Sequence, residues 1–186
     1  MFESRFQSFE ETSDPSQGAA RLAALRAELA RQGLDGFIAP RADEHQNEYV
    51  PANAERLAWL TGFTGSAGVV IALQDKAALF VDGRYTLQAP QQVDARAFAV
   101  VPLAETSPEK WLERHLPKGA RFGYDSSLQT PAQAARLEKA VAAAGGELVA
   151  CAQNPIDGIW SGRPAAPCAP ARPHPPRYAG EAAQKK

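Results

Sequence analysis

Apolar residues along this chain alternate between a helical period and short β-type runs. Leu22, Leu25 and Leu29 share one face of a helix predicted over residues 19–33, with Gly33 as its C-terminal stop. Gly36-Phe37-Ile38-Ala39 reads as a short strand closed by Pro40. Residues 53–61 read as a short helix with Asn53 as N-cap. Two β-rich apolar runs, 67–73 and 77–81, are separated by Gln74-Asp75-Lys76 and predict a hairpin. A helical stretch over 85–92, despite Pro90, precedes a strand at 97–101. Residues 109–115 form an amphipathic helix with Ser107 as cap and Trp111 and Leu112 inward. A strand at 121–124 precedes an alanine-rich helix over 131–144, opened by Pro131 and ended by Gly145. Residues 147–152 are the last strand. The expected fold is therefore α/β, a mixed central sheet of about six strands flanked by helices.

The two ends break this pattern. From Ser161 to Lys186 there is no Leu, Ile, Val, Phe or Trp, and six of the fifteen prolines fall there. Such a segment cannot form a core and reads as a polyproline-like linker. Residues 1–18 are polar except for Phe2, Phe6 and Phe9, spaced as on one helix face. They read as an N-terminal extension docked on its own domain, with a partner-binding helix as the other reading. The organisation expected is an extension over 1–18, a domain over 19–160 and a proline-rich linker over 161–186.

Composition removes several function classes. The chain has 186 residues, 45% hydrophobic and 22% charged, which excludes wholesale disorder. Its net charge of −1 gives no bulk attraction to nucleic acid or anionic lipid. In the tail five cations face Glu181 alone, so residues 1–160 carry −5. The dilute positive charge of the tail is that of a solvated segment. No apolar run approaches the ~20 residues of a membrane span, and Met1-Phe2-Glu3-Ser4-Arg5 lacks a signal-type apolar stretch. A cytoplasmic protein with Cys151 and Cys168 reduced is expected, without nucleic-acid or membrane partners.

Catalytic chemistry is sparse. His45, His115 and His174 lie in a loop, on an amphipathic helix and in the tail, and none belongs to a metal-ligand pair. The dense polar stretch Asp43-Glu44-His45-Gln46-Asn47-Glu48-Tyr49 reads as a loop tied by its own side chains, with a divalent-cation site as the alternative. Gly62-Phe63-Thr64-Gly65-Ser66-Ala67-Gly68 is not a phosphate loop, because it follows a helix and enters a strand. It also lacks the nucleophile-elbow pattern. Cys151 sits on an apolar strand without a neighbouring His and reads as core. Val81-Asp82-Gly83-Arg84-Tyr85 lies at a strand's C-terminal end, where α/β folds collect ligand-binding side chains. Arg84 there is either a projecting functional group or the partner of a local Asp82 salt bridge.

Three segments, in this order, resemble the N-terminal domain of the Xaa-Pro aminopeptidase family within the creatinase–prolidase superfamily. They are Asp43-Glu44-His45-Gln46-Asn47-Glu48-Tyr49, Trp59-Leu60-Thr61-Gly62-Phe63-Thr64-Gly65-Ser66-Ala67-Gly68 and Phe80-Val81-Asp82-Gly83-Arg84-Tyr85-Thr86-Leu87-Gln88. Asn154-Pro155-Ile156-Asp157-Gly158-Ile159-Trp160 is similar to the segment that closes this domain. The resemblance covers residues 19–165. It implies a non-catalytic domain, followed in the family by a second domain of similar fold and a pita-bread domain. There two Asp, one His and two Glu hold two manganese ions, and those ligands lie outside this chain. The resemblance further implies a homodimer acting on peptides with proline second, to which this domain contributes a dimer contact and part of the substrate-cleft wall. Arg84 is similar to an arginine that reaches the substrate from outside the pita-bread domain. No cofactor and no catalytic residue is expected in this chain, which alone is expected to be inactive. The alternative is a stand-alone peptide- or histone-binding module without chemistry. A metal nuclease using Asp82 and Asp125 is a third reading.

Overall fold

Gly33, at φ +66°, lets the chain leave α1 (Gly18–Arg31), and Leu34 then enters the core. The computed structural model describes residues 13–185, so Phe2, Phe6 and Phe9 lie outside the described residues. Strand β1 (Gly36–Pro40) follows, then α2 (Arg56–Thr61) and the hairpin strands β2 (Val69–Leu73) and β3 (Ala77–Val81). After α3 (Gln88–Gln92) come β4 (Ala99–Pro102), α4 (Pro108–His115), β5 (Arg121–Tyr124), α5 (Pro131–Ala143), β6 (Glu147–Ala150) and α6 (Pro155–Ile159).

The sheet order is β4-β3-β2-β1-β5-β6. β1 and β2 pair antiparallel with Ile38 opposite Ile71, and β2 and β3 pair antiparallel with Val70 opposite Leu79. β3–β4, β1–β5 and β5–β6 pair parallel. Only β2 therefore opposes the rest, and the C-terminal ends of β1, β3, β4, β5 and β6 share one edge. The sheet is mixed, six-stranded and flanked by helices on both faces.

Strand alternation builds the two faces. Phe37, Val70, Ala72, Leu79 and Val81 face α1 and α2, meeting Leu22, Leu25, Leu29, Leu57, Leu60 and Phe63. Ile38, Ile71, Leu73, Phe80 and Phe122 face α4 and α5, meeting Trp111, Leu112, Leu137 and Val141. Ser107 caps α4 by accepting from Lys110 N (3.3 Å). Thr130 and Gln133 form a reciprocal capping box at α5.

Several local expectations shift: the strand expected over 67–73 begins at Val69, and the one over 147–152 ends at Ala150, which leaves Cys151 just past it. Asn53 does not cap α2: Pro51 starts a 3₁₀ turn over Ala52–Ala54, and the helix begins only at Arg56. β4 begins at Ala99, because Ala97 N and Phe98 N both turn back to Asp94 O. The helix over 85–92 divides into a 3₁₀ turn, Gly83–Tyr85, and the short α3. At the other end, residues 164–175 are exposed and form neither helix nor strand. No helix among the described residues is long and apolar enough to cross a membrane.

Candidate functional site

The loop leaving β1 is fixed by one carboxylate. Asp43, 2% exposed, accepts from His45 N (3.0 Å), Asn47 N (3.0 Å) and Asn47 Nδ2 (3.1 Å). These bonds, that from Asn47 N foremost, hold its carboxyl below the usual range. Gln46 takes a left-handed backbone (φ 57°), and its Nε2 donates to Leu128 O (3.2 Å), tying the loop to the segment after β5. The His45 ring stays in solvent, 3.8 Å from Glu44.

The glycine-rich turn before β2 is shaped by close approach. Gly62 has φ +88°, and a Cβ on Gly65 would run into the Phe63 and Tyr85 rings. Tyr85 Oη in turn accepts from Ser66 N (3.0 Å) and lies 2.8 Å from Ser66 Oγ. Ser66 Oγ donates to Glu48 Oε1 (2.9 Å), so the loops after β1 and β3 meet the turn before β2 in one polar chain.

Arg84 sits at the end of that chain. Asp82 accepts from Arg84 N (2.9 Å), Nε (3.1 Å) and Nη2 (2.7 Å). The Arg84 side-chain bonds are the main reason that the Asp82 carboxyl lies low, and Asp82 raises the guanidinium in return. Nη1 points elsewhere, 3.8 Å from Glu48 Oε1, and the Arg84 side chain is 60% exposed. Of the two readings of the motif, the local pairing with Asp82 is the one observed. The salt bridge forms, and it holds a guanidinium outward at the strand's C-terminal rim.

Beside this rim lies a cleft of about 650 Å³, between the sheet edge and the α4–α5 layer. Arg41 forms part of its wall and was not singled out by sequence. Its side chain is 7% exposed, Nε donates to Gly65 O (3.2 Å) and Nη2 lies 3.1 Å from Glu55. Nη1 has no hydrogen-bond partner among the described residues. Burial pushes the Glu55 carboxyl up, and the Arg41 charge opposes this. Arg136 and Glu109 (3.4 Å) close the far end of the cleft.

Other candidate residues are not brought together. Asp82 and Asp125 follow β3 and β5, three inter-strand spacings or roughly 14 Å apart. Asp125 is engaged by Ser127 N (2.9 Å) and Asn154 Nδ2 (2.9 Å). His115 stacks on Trp111 at 4.4 Å, with Nδ1 2.8 Å from Trp111 O, and His174 lies beside Tyr178 in the tail. Cys151 is half-buried, and burial raises its thiol. No group of three or more His, Cys, Asp or Glu among the described residues could hold a metal ion. The donors among the described residues do not fit a dinuclear centre.

Residues 21–158 match the family model described as the creatinase/prolidase N-terminal domain. A relative from Coccidioides posadasii, named "Probable Xaa-Pro aminopeptidase P", is 35% identical over 189 residues, covering 100% of this chain and 29% of its own length. The X-prolyl aminopeptidase of Caenorhabditis elegans is described as a cytosolic enzyme with a di-nuclear active site. It superposes with a TM-score of 0.73 at 30% identity, over 78% of this chain and 26% of that one. The N-terminal domain of the cytoplasmic peptidase PepQ from Mycobacterium tuberculosis shares the fold (TM-score 0.57, 24% identity) over 76% of this chain and 99% of that one. The chain thus spans under a third of the length of the curated relatives it matches. With three quarters of its residues inside the matched region and a mixed six-stranded sheet in place, it belongs to the creatinase/prolidase N-terminal domain family.

Proposed function

We propose that this chain is the non-catalytic N-terminal domain of a proline-specific metalloaminopeptidase, which removes the residue preceding a proline. In this reading it forms part of the substrate-cleft wall and of a homodimer contact. The metal centre, with manganese as the expected ion, belongs to the portion of such an enzyme outside this chain. The compartment is cytoplasmic, in keeping with the C. elegans relative described as cytosolic.

The observation that carries the reading is the held but outward Arg84. A guanidinium presents a rigid fork of five N–H donors, and Asp82 occupies only Nε and Nη2. What remains suits the carbonyl oxygens of a bound peptide. A side chain already immobilised loses little further entropy on binding, which favours a substrate contact over an idle surface charge.

The test is Arg84→Lys in the full-length enzyme. A point charge on a flexible stem keeps the sign but loses the fork, and the loss of one charged hydrogen bond corresponds to roughly a ten- to hundred-fold fall in kcat/KM on Xaa-Pro peptides. Unchanged kinetics would remove Arg84 from the substrate site.

A further inference from the structure

The cleft beside Arg84 has a border rich in cations. Arg41, Arg84 and Arg136 line it against two carboxylates, Glu48 and Glu109, and both carboxylates are already engaged. Glu48 accepts from Ser66 Oγ and lies 3.8 Å from Arg84 Nη1, and Glu109 faces Arg136 (3.4 Å). The carboxylates that answer Arg41 and Arg84 most directly, Glu55 and Asp82, are not among the residues lining it. Arg41 stands apart from the other two. Its side chain is 7% exposed, against 60% for Arg84 and 59% for Arg136. Its backbone N–H donates to Gly68 O (2.8 Å), continuing the β1–β2 pairing, and its Nε and Nη2 are held by Gly65 O and Glu55. The guanidinium is thus fixed in place while Nη1, buried, lacks an acceptor among the described residues. A buried donor of a charged group without a partner is rare in folded proteins and needs a reason.

We propose that this cleft is a carboxylate-binding site, with Arg41 Nη1 as its inner donor and Arg84 and Arg136 at its mouth. Two of these guanidiniums border one turn: Arg41 bonds Gly65 O, and Arg84 approaches Glu48, which holds Ser66. The first turns of α4 and α5 also border the cleft, through Pro108 and Gln133, and both helix dipoles add positive potential. A carboxylate answers such a border better than a neutral acceptor, because a charged N–H···O bond is roughly twice as strong as a neutral one. Nη1 is covered, so contact with it needs a side chain of the wall to move. Gln46, Asn47 and Glu48 in that wall are exposed, and moving them uncovers little apolar surface. A volume of about 650 Å³ lies within the ~300–1,000 Å³ typical of small-ligand sites and exceeds what a bare ion fills. The carboxylate therefore comes on an organic molecule, either a peptide with a free carboxyl group or a small organic acid. Only the peptide source rests on the function proposed above.

The chain can be titrated by ¹H–¹⁵N NMR with acetyl-Pro-Gly, its amide acetyl-Pro-Gly-amide, succinate and inorganic phosphate, which removes catalysis from the readout. Acetyl-Pro-Gly, succinate or both are expected to shift the backbone amides of Ser66, Gly68, Gln129 and Gln133 together with the Arg41 Nε–H resonance. The peptide amide and phosphate are expected to bind at least about tenfold more weakly than the better acid. Binding of the peptide acid alone assigns a peptide as the source, and binding of succinate alone assigns a free organic acid; either supports the site. Arg41→Gln should abolish the shifts. Where that variant does not fold, the Arg41 Nε–H resonance of the native chain decides, because an acid held only by the exposed arginines leaves it unmoved. No shifts at millimolar acid, a peptide amide or phosphate that binds as tightly as the better acid, or an unchanged titration in folded Arg41→Gln would overturn the proposal. The two readings fail separately. A full-length enzyme without Xaa-Pro hydrolysis defeats the proposed function while leaving a positive titration standing. An active enzyme with a silent titration defeats only the carboxylate site.

Discussion

Two arginine–aspartate pairs in this molecule have nearly the same bond geometry and opposite surroundings. At the rim, Arg84 meets Asp82 at 2.7 Å across a single turn, with 60% of its side chain exposed. At the closing segment, Arg56 of α2 meets Asp157 of α6 at 2.7 and 2.9 Å, with 9% of its side chain exposed. Asp157 also receives Arg163 Nη1 (2.7 Å), and Arg163 Nε donates to Asn53 O (2.8 Å). Trp160 lies stacked on Trp59 at 5.5 Å. The second pair joins residues 101 apart and is shielded by packing, whereas the first is local and solvated. Identical chemistry therefore does different things. The buried pair fastens the end of the domain onto its helical layer, and the exposed pair aims a side chain.

The sharpest way to break this comparison is to cut the buried pair. Arg56→Ala leaves Asp157 half-shielded, with only Arg163 to answer it, and removes two charged hydrogen bonds. The expected loss is about 2–4 kcal/mol of folding stability, read by chemical denaturation. Replacing both partners together, Arg56→Leu with Asp157→Leu, should cost less than Arg56→Ala alone, because the buried carboxylate goes with its partner and Arg163, which loses that carboxylate, keeps its bond to Asn53 O. A loss under about 0.5 kcal/mol for Arg56→Ala would place this pair in the same class as the rim pair.

A smaller effect separates the loop at the rim from the side chain that it neighbours. Asp43 is buried and ionised by three N–H donors, and its folded pKa lies below its unfolded value near 4. Its contribution is therefore fully present above about pH 4 and is lost as pH falls through the lower folded value. Asp43→Asn should be less stable than the native chain at neutral pH, and the gap should close below about pH 4. Thermal unfolding followed across that range checks it; a gap independent of pH would mean that shape rather than charge holds this loop.

What could be read from residue order follows how far apart the interacting groups lie. Gly33 and Gly145 ended their helices and Ser107 capped α4 because each acts within four residues of its own position. The Asp82–Arg84 pairing was visible for the same reason, as was the self-tied loop around Asp43. Asn53 misled because the rule for an N-cap ignores Pro51, whose fixed φ starts a 3₁₀ turn ahead of the helix. Arg41 and the cleft left no local signal. Arg41 acquires its role from Gly65 O and Glu55, and the cleft is assembled from segments spread from Ile38 to Leu137. Only the strand order puts those segments on one edge.

The smallest expected effect on stability is the one that keeps the rim distinct. Arg84→Gln removes the guanidinium and its bonds to Asp82, but the Asp82 side chain keeps its bond to the backbone N–H of residue 84, so the turn is retained. The side chain is mostly in water, where an ion pair is offset by hydration and by the entropy of two ordered side chains. Tyr85, which anchors the glycine-rich turn through Ser66, is untouched. The midpoint of thermal unfolding should therefore stay within measurement error of the native chain. Raising the salt concentration should change the two proteins alike, because the screened pair contributes little to begin with. A clear drop in the midpoint, made worse at low salt in the native background alone, would show that Arg84 holds the rim together, and the contrast with Arg56 would disappear.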